Sequence, residues 1–152
     1  MSARTLTIDE VAVGDKLPQL PVPIDRTFIV AGALATRDYE DVHHDPQRAA
    51  ERGTPDIHMS INHTNGLVCR YVTDWAGPGA VLSRLSTRLG VPNFPGDTMT
   101  LTGEVTAVTG DTVRVAVTGT NRQGAHTTSE VTVRLPGDRA RAGAGDGQGT
   151  AP

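Results

Sequence analysis

Three consecutive stretches between Thr98 and Leu135 alternate apolar and polar residues with a period of two, and no other feature of the 152-residue chain constrains its fold as strongly. From Thr98 to Val108, Met99, Leu101, Val105 and Ala107 share one face, while Thr98, Thr100, Thr102, Glu104 and Thr106 share the other. Successive side chains of a strand point to opposite faces, so this pattern marks a half-buried antiparallel strand. Gly110-Asp111 makes a turn, and Val113, Val115 and Val117 then alternate with Thr112, Arg114 and Thr118. After a second turn at Gln123-Gly124, Ser129, Val131, Val133 and Leu135 repeat the pattern, with His126 on its polar face and so expected to be exposed. An earlier run, Val81 to Leu89, sets Val81, Leu85 and Leu89 against Leu82, Arg84 and Arg88. The four runs predict a meander of four long antiparallel strands.

Composition agrees with a sheet. Sixteen valines, stiff at χ1 and at home on a pleated surface, accompany only five aromatic residues, which makes an all-helical bundle a poor fit. Ser60 to Trp75 has a different period: Ile61, Thr64, Leu67, Val68, Tyr71, Val72 and Trp75 follow three-and-four spacing. This predicts an amphipathic helix with Ser60 as N-cap and Gly77-Pro78 as its stop. Gly66 inside it suggests a close approach of the sheet backbone, and Tyr71 and Trp75 read as core. A second, shorter helix is expected over Ala31–Tyr39. One central helix against a long antiparallel sheet is an α+β architecture.

The ends differ from the middle. Residues 1–25 carry three prolines and a Gly-Asp turn and read as an extended N-terminal arm with a short strand. Residues 26–136 form the compact domain, and the Gly-rich stretch 137–152 has too few large apolar residues to order itself and reads as a disordered tail. A net charge of -3 with no basic stripe argues against nucleic acid or an anionic membrane as partner. Cys69 is the sole cysteine, which excludes an intrachain disulfide and a cysteine-rich zinc site. Neither a signal-peptide layout nor a membrane-length apolar run is present in the sequence, so a cytoplasmic location is expected.

The chemistry concentrates in Asp38-Tyr-Glu-Asp-Val-His43-His44-Asp45-Pro46. This segment reads either as a solvated loop whose Asp45 or Asp41 caps a helix starting near Pro46, or as an acid/base pair in which Asp38 and His43 converge on one water. Asp38-x-x-x-x-His43-x-Asp45-Pro46-x-x-Ala49 resembles the signature of the MaoC-like, (R)-specific enoyl-CoA hydratases. Gly90-Val-Pro-Asn-Phe-Pro-Gly96-Asp97-Thr98 is similar to the Gly-Asp-Thr loop that leads into the next long strand in that family. Thr27–Val30, Ala33–Asp38, Asp41–Asp45, Gly66–Val68, Arg70–Pro78 and Arg88–Pro92 look more narrowly like the small MaoC-like subunits of steroid side-chain enoyl-CoA hydratases.

The resemblance, which covers about residues 10–135, implies a hot-dog fold, a long antiparallel sheet wrapped around a central helix. It implies the hydro-lyase addition of water to an α,β-unsaturated acyl-CoA from a steroid side chain, with Asp38 as general base and His43 as its partner in proton transfer. Enolate charge building on the thioester oxygen suits backbone N–H groups at a helix N-terminus, here Met59 and Ser60. Where the broad family has Asn and Pro between the catalytic residues this chain has Glu40 and Asp41, and these, with His44, are expected to surround the pair. The CoA thioester is a substrate, so no cofactor is expected. A metal would have to use His43, His44, Asp45, His58 and His63, but the last two are five apart, a poor match to one helix face, and no metal is expected. The implied partner is a larger chain carrying a non-catalytic MaoC-like domain in an α2β2 hetero-oligomer, which can associate further with a thiolase-like aldolase. A hot-dog thioesterase and a non-catalytic scaffold subunit are the alternatives. Arg37, Arg84 and Arg88 are equal candidates for the CoA phosphates.

Overall fold

The computed structural model describes residues 4–137, so the tail expected over 137–152 lies, from Asp138 onward, outside the described residues. Five antiparallel strands form one sheet: β1 (Lys16–Pro23), β2 (Val81–Leu89), β3 (Thr98–Thr109), β4 (Thr112–Asn121) and β5 (Gly124–Arg134). Their spatial order is β1-β3-β4-β5-β2. Only β3, β4 and β5 form a meander, because β2 crosses over to pair with β5 rather than with β3, its neighbour in sequence. The four-strand meander expected from sequence is corrected accordingly: alternation identifies strands but carries no information on their order. Residues 16–23 add β1 as the opposite edge, and Val11, Leu17 and Ile24 join the core.

Alternation sets the inner face. Val113, Val115 and Val117 of β4 and Val131 and Val133 of β5 are fully buried, with Val113 opposite Val133, Val115 opposite Val131 and Val117 opposite Ser129. Each fully buried valine or leucine of this layer contributes on the order of 1.5–3 kcal/mol by removal from water. Helix α3 (Ile61–Ala76) lies on that face through Thr64, Val68, Tyr71, Val72 and Ala76. Ser60 caps it by accepting the His63 N–H, and Gly77, at φ 90°, ends it. The Tyr71 hydroxyl donates to the Pro18 carbonyl, 2.9 Å, and so ties the helix to β1.

Two local expectations are corrected. The first helix, α1, spans Arg26–Ala35 rather than Ala31–Tyr39, because Asp25 caps it by accepting the Phe28 N–H. Gly66 is exposed, and the space beyond its Cα is open; the close approach is at Gly32, where a Cβ would fall 1.9 Å from His63 Nδ1. Gly32 therefore lets α1 pack on α3 through the His63 ring, which also rests against Phe28 with 4.4 Å between centroids.

His126 is 1% exposed, not on the outer face. The β4–β5 register shifts between Gly119 and Thr120, which brings His126 and Thr127 both inward and breaks the parity that holds from Thr128 onward.

The sheet's edges differ. β1 carries Pro18, Pro21 and Pro23, which lack the donors a further strand would need. β2 has no proline, and Val81 and Leu89 are exposed along it.

Candidate active site

Asp38 follows α1 through a turn closed by Arg37, whose φ of 55° is the left-handed conformation that terminates the helix. That conformation costs a non-glycine residue about 1 kcal/mol. It directs the Asp38 N–H to the Ala33 carbonyl, 2.9 Å, so the residue doubles back over the helix end. His43 ends a single 3-10 turn, Asp41–His43, and Asp45 then caps α2 (Pro46–Glu51) by accepting the Gln47 and Arg48 N–H groups. The capping role considered for Asp45 and the convergence of Asp38 with His43 coexist in one loop.

The His43 and Asp38 side chains are largely buried, with His43 Nε2 3.7 Å from Asp38 Oδ2. That separation is too long for a direct hydrogen bond, and it lets both atoms bind one small hydroxylic molecule. His43 Nδ1 lies 2.7 Å from the His58 carbonyl, which can only accept, so Nδ1 carries a hydrogen and Nε2 is the nitrogen turned toward Asp38. The His58 N–H donates to the Val42 carbonyl, 3.1 Å, which completes a two-point strap between the two segments. Burial, with His43 beside it, holds the His58 imidazole below its ordinary range. Asn62, in the first turn of α3, directs Nδ2 to Asp38 Oδ2 at 3.4 Å.

Glu40 and Asp41 do not touch the pair. Their carboxylates pair with Arg52, at 3.1 Å each, and fasten the loop 38–45 to the end of α2. His44 is exposed and turned away. The Met59 N–H, expected to receive a thioester oxygen, donates instead to the Asn93 carbonyl, 3.1 Å, and is therefore committed. Ser60 is buried at the helix start, where the first N–H groups lack intrahelical acceptors. Among the described residues no three His, Cys, Asp or Glu side chains converge as metal ligands.

Two hollows flank Asp38. One, about 470 Å³, is lined by Asp38, Tyr39, Glu40, Asp41 and Arg52. The other, about 300 Å³, is an apolar groove between α1 and α3 that includes Phe28, Ala31, Gly32, Ala35 and Gly66, with Asn62 at its margin. Sequence reasoning missed Asn62, Arg52 and Asn93. Asn62 sat on the polar side of a predicted helix without a signal, and the other two act across contacts that only the fold creates.

No family model matches the chain. The beta subunit of the Mycobacterium tuberculosis 3-oxo-4,17-pregnadiene-20-carboxyl-CoA hydratase is 50% identical over 123 residues, 81% of this chain and 95% of that subunit. The chain belongs to this hydratase beta-subunit family. Its fold agrees: a chain of the ChsH1-ChsH2 complex from M. tuberculosis superposes with a TM-score of 0.81 at 49% identity, over 82% of this chain and 98% of that one. The R-hydratase PhaJ1 of Pseudomonas aeruginosa, with a TM-score of 0.80 at 21% identity over 88% of each chain, shares the MaoC-like hot-dog fold with this beta-subunit relative.

Proposed function

We propose that this chain is the catalytic subunit of an enoyl-CoA hydratase that adds water to the α,β-double bond of a steroid side-chain CoA thioester. The observation that carries the reading is the pair itself, Asp38 Oδ2 and His43 Nε2 at 3.7 Å beside the N-terminus of α3. A water between them gives one hydrogen to each acceptor. As its oxygen attacks Cβ, Asp38 takes the proton and then delivers it to Cα, while His43 holds the second O–H and sets the direction of attack. The thioester oxygen gains charge as Cβ is attacked and is received at the first turn of α3 from Ser60 onward, where dipole and unpaired N–H groups favour an anion. The chemistry needs no metal or cofactor.

The apolar groove that begins at Asn62 suits the acyl portion of the substrate, and the steroid class is supported by the relative's name. A second chain carrying a MaoC-like domain without the catalytic pair would add its sheet at the free edge of β2, in an α2β2 assembly open to a thiolase-like aldolase. The two-component ChsH1-ChsH2 complex supports such a partner. A CoA thioester substrate suits a cytoplasmic location, and no described helix is long and apolar enough to cross a membrane.

The test is turnover of an enoyl-CoA thioester by the assembled complex, followed by loss of enoyl absorbance and by thiol release. Asp38→Asn and His43→Ala are expected to assemble normally and to lose hydration. Near-normal turnover in either variant overturns the assignment, and thiol release in place of hydration favours the thioesterase.

A further inference from the structure

His126 is a buried titratable group that the proposed reaction does not use, yet both its ring nitrogens are engaged. Nδ1 lies 2.7 Å from the Val91 carbonyl, which can only accept, so Nδ1 carries the hydrogen. Nε2 lies 2.9 Å from Thr64 Oγ1. Burial lowers the pKa of the ring, against the opposing pull of its Val91 hydrogen bond and of Asp97, and so favours a neutral imidazole with a lone pair at Nε2. Thr64 is fully buried, and its hydroxyl also lies 3.0 Å from the Ser60 carbonyl. It has one proton for two acceptors, and a neutral His126 draws that proton to Nε2.

The bridge joins the loop beside the start of α3 to the first turn of α3 itself. Val91 belongs to the loop 90–97, in which the Asn93 carbonyl holds the Met59 N–H. Asn93 is itself fixed by Asn121, whose Nδ2 donates to Asn93 Oδ1 at 2.8 Å and to the Pro92 carbonyl at 2.9 Å. Thr64 sits one turn into α3, past Ser60 and past Asn62, which contacts Asp38. Val91, Asn93, Met59, Ser60, Thr64 and His126 thus close a ring of contacts around the helix N-terminus.

We infer that His126 is a positioning residue for the hydration reaction: by bridging Val91 and Thr64 it fixes the first turn of α3 against the loop 90–97, and with it the place that receives the thioester oxygen. The inference rests on the hydratase reading above. It acts on the transition state more than on substrate binding, because the oxyanion forms only as water attacks.

Two substitutions cut the bridge on different sides. Thr64→Val removes the hydroxyl at nearly constant shape, and His126→Asn keeps a donor near Val91 but cannot reach Thr64. In the assembled complex each is expected to lower kcat about 10- to 100-fold, the scale of a misplaced reacting group, with KM for the enoyl-CoA within about threefold. The double variant is expected to be no slower than the slower single one, since both break the same bridge. Normal kcat in a folded Thr64→Val complex, a change in KM alone, or fully multiplicative losses in the double variant would each overturn the inference. If Asp38→Asn is inactive while Thr64→Val is fully active, this inference alone fails; if Asp38→Asn turns over normally, the hydratase reading fails first.

Discussion

The two loops that meet at the start of α3 are held in opposite ways. The loop 38–45, which holds the proposed acid/base pair, has its strap to His58 reinforced from outside, by Arg52, itself 55% exposed, across Glu40 and Asp41. The loop 90–97 carries none of the chemistry and is fastened from inside, by the buried side chains of Asn93, Asp97 and His126. Asp97 Oδ2 accepts the Phe94 N–H at 2.8 Å, while the Arg122 side chain reaches its other oxygen. The outer ion pairs, being exposed, are of small net worth. Buried hydrogen bonds make good fixtures, because losing one partner leaves the other without water to replace it.

The sharpest contrast is expected between chemistry and scaffold. Asp38→Asn should reduce kcat by about 10²–10⁴ while leaving the thermal midpoint almost unchanged, read by steady-state kinetics beside calorimetry; His43→Ala should lose kcat on the same scale and lower the midpoint as well, because it takes away the partner of the His58 carbonyl. Asn93→Ala should do the reverse in kind. It empties a fully buried position and removes one of the two acceptors of the Asn121 amide, and is expected to cost about 2–3 kcal/mol of stability, seen as a lower denaturant midpoint. A loss below about 0.5 kcal/mol would show that the inner fastening is not buried hydrogen bonding.

Acid separates the two fastenings. Burial lowers the pKa values of His58, His63 and His126 below the ordinary 6.5, so the unfolded chain binds more protons than the folded one in the window below that value. Their contribution is complete above 6.5 and is lost as the pH falls through the folded-state values. Thermal scans from pH 7.5 to 5 should show a falling midpoint, and a His126→Asn complex should fall less; equal slopes would remove His126 from the set. Arg52→Ala is the smallest case: under about 1 kcal/mol, and weaker still at high salt. A salt-independent loss of several kcal/mol would mean that the outer fastening is not an exposed ion pair.

Much of this was legible in the residues. The strands after Thr98 declared themselves because their alternation faces a core on one side only, and α3 because Ser60, its apolar stripe and Gly77 agree. The convergence of Asp38 and His43 was legible because their spacing lies within one loop. Strand order was not legible: β2 and β5 are separated in sequence by both β3 and β4, and periodicity says nothing about neighbours. His126 was misread because a single register shift reverses the parity on which the reading relied. Arg52, Asn62 and Asn93 were missed for the same reason, since each meets its partner only after the chain has closed.

The unequal edges of the sheet carry a consequence for the life of the chain before assembly. β1 is blunted by its prolines, but β2 leaves a strand edge, with Val81 and Leu89 exposed beside it, ready to accept any extended backbone. A molecule that waits long for its complement will meet copies of itself first, and the same edge then templates stacking into aggregates. If the partner proposed above covers this edge, synthesis of the two chains in step would help to keep this one from aggregating, and a chain produced alone should grow cloudier with concentration while the paired one stays clear.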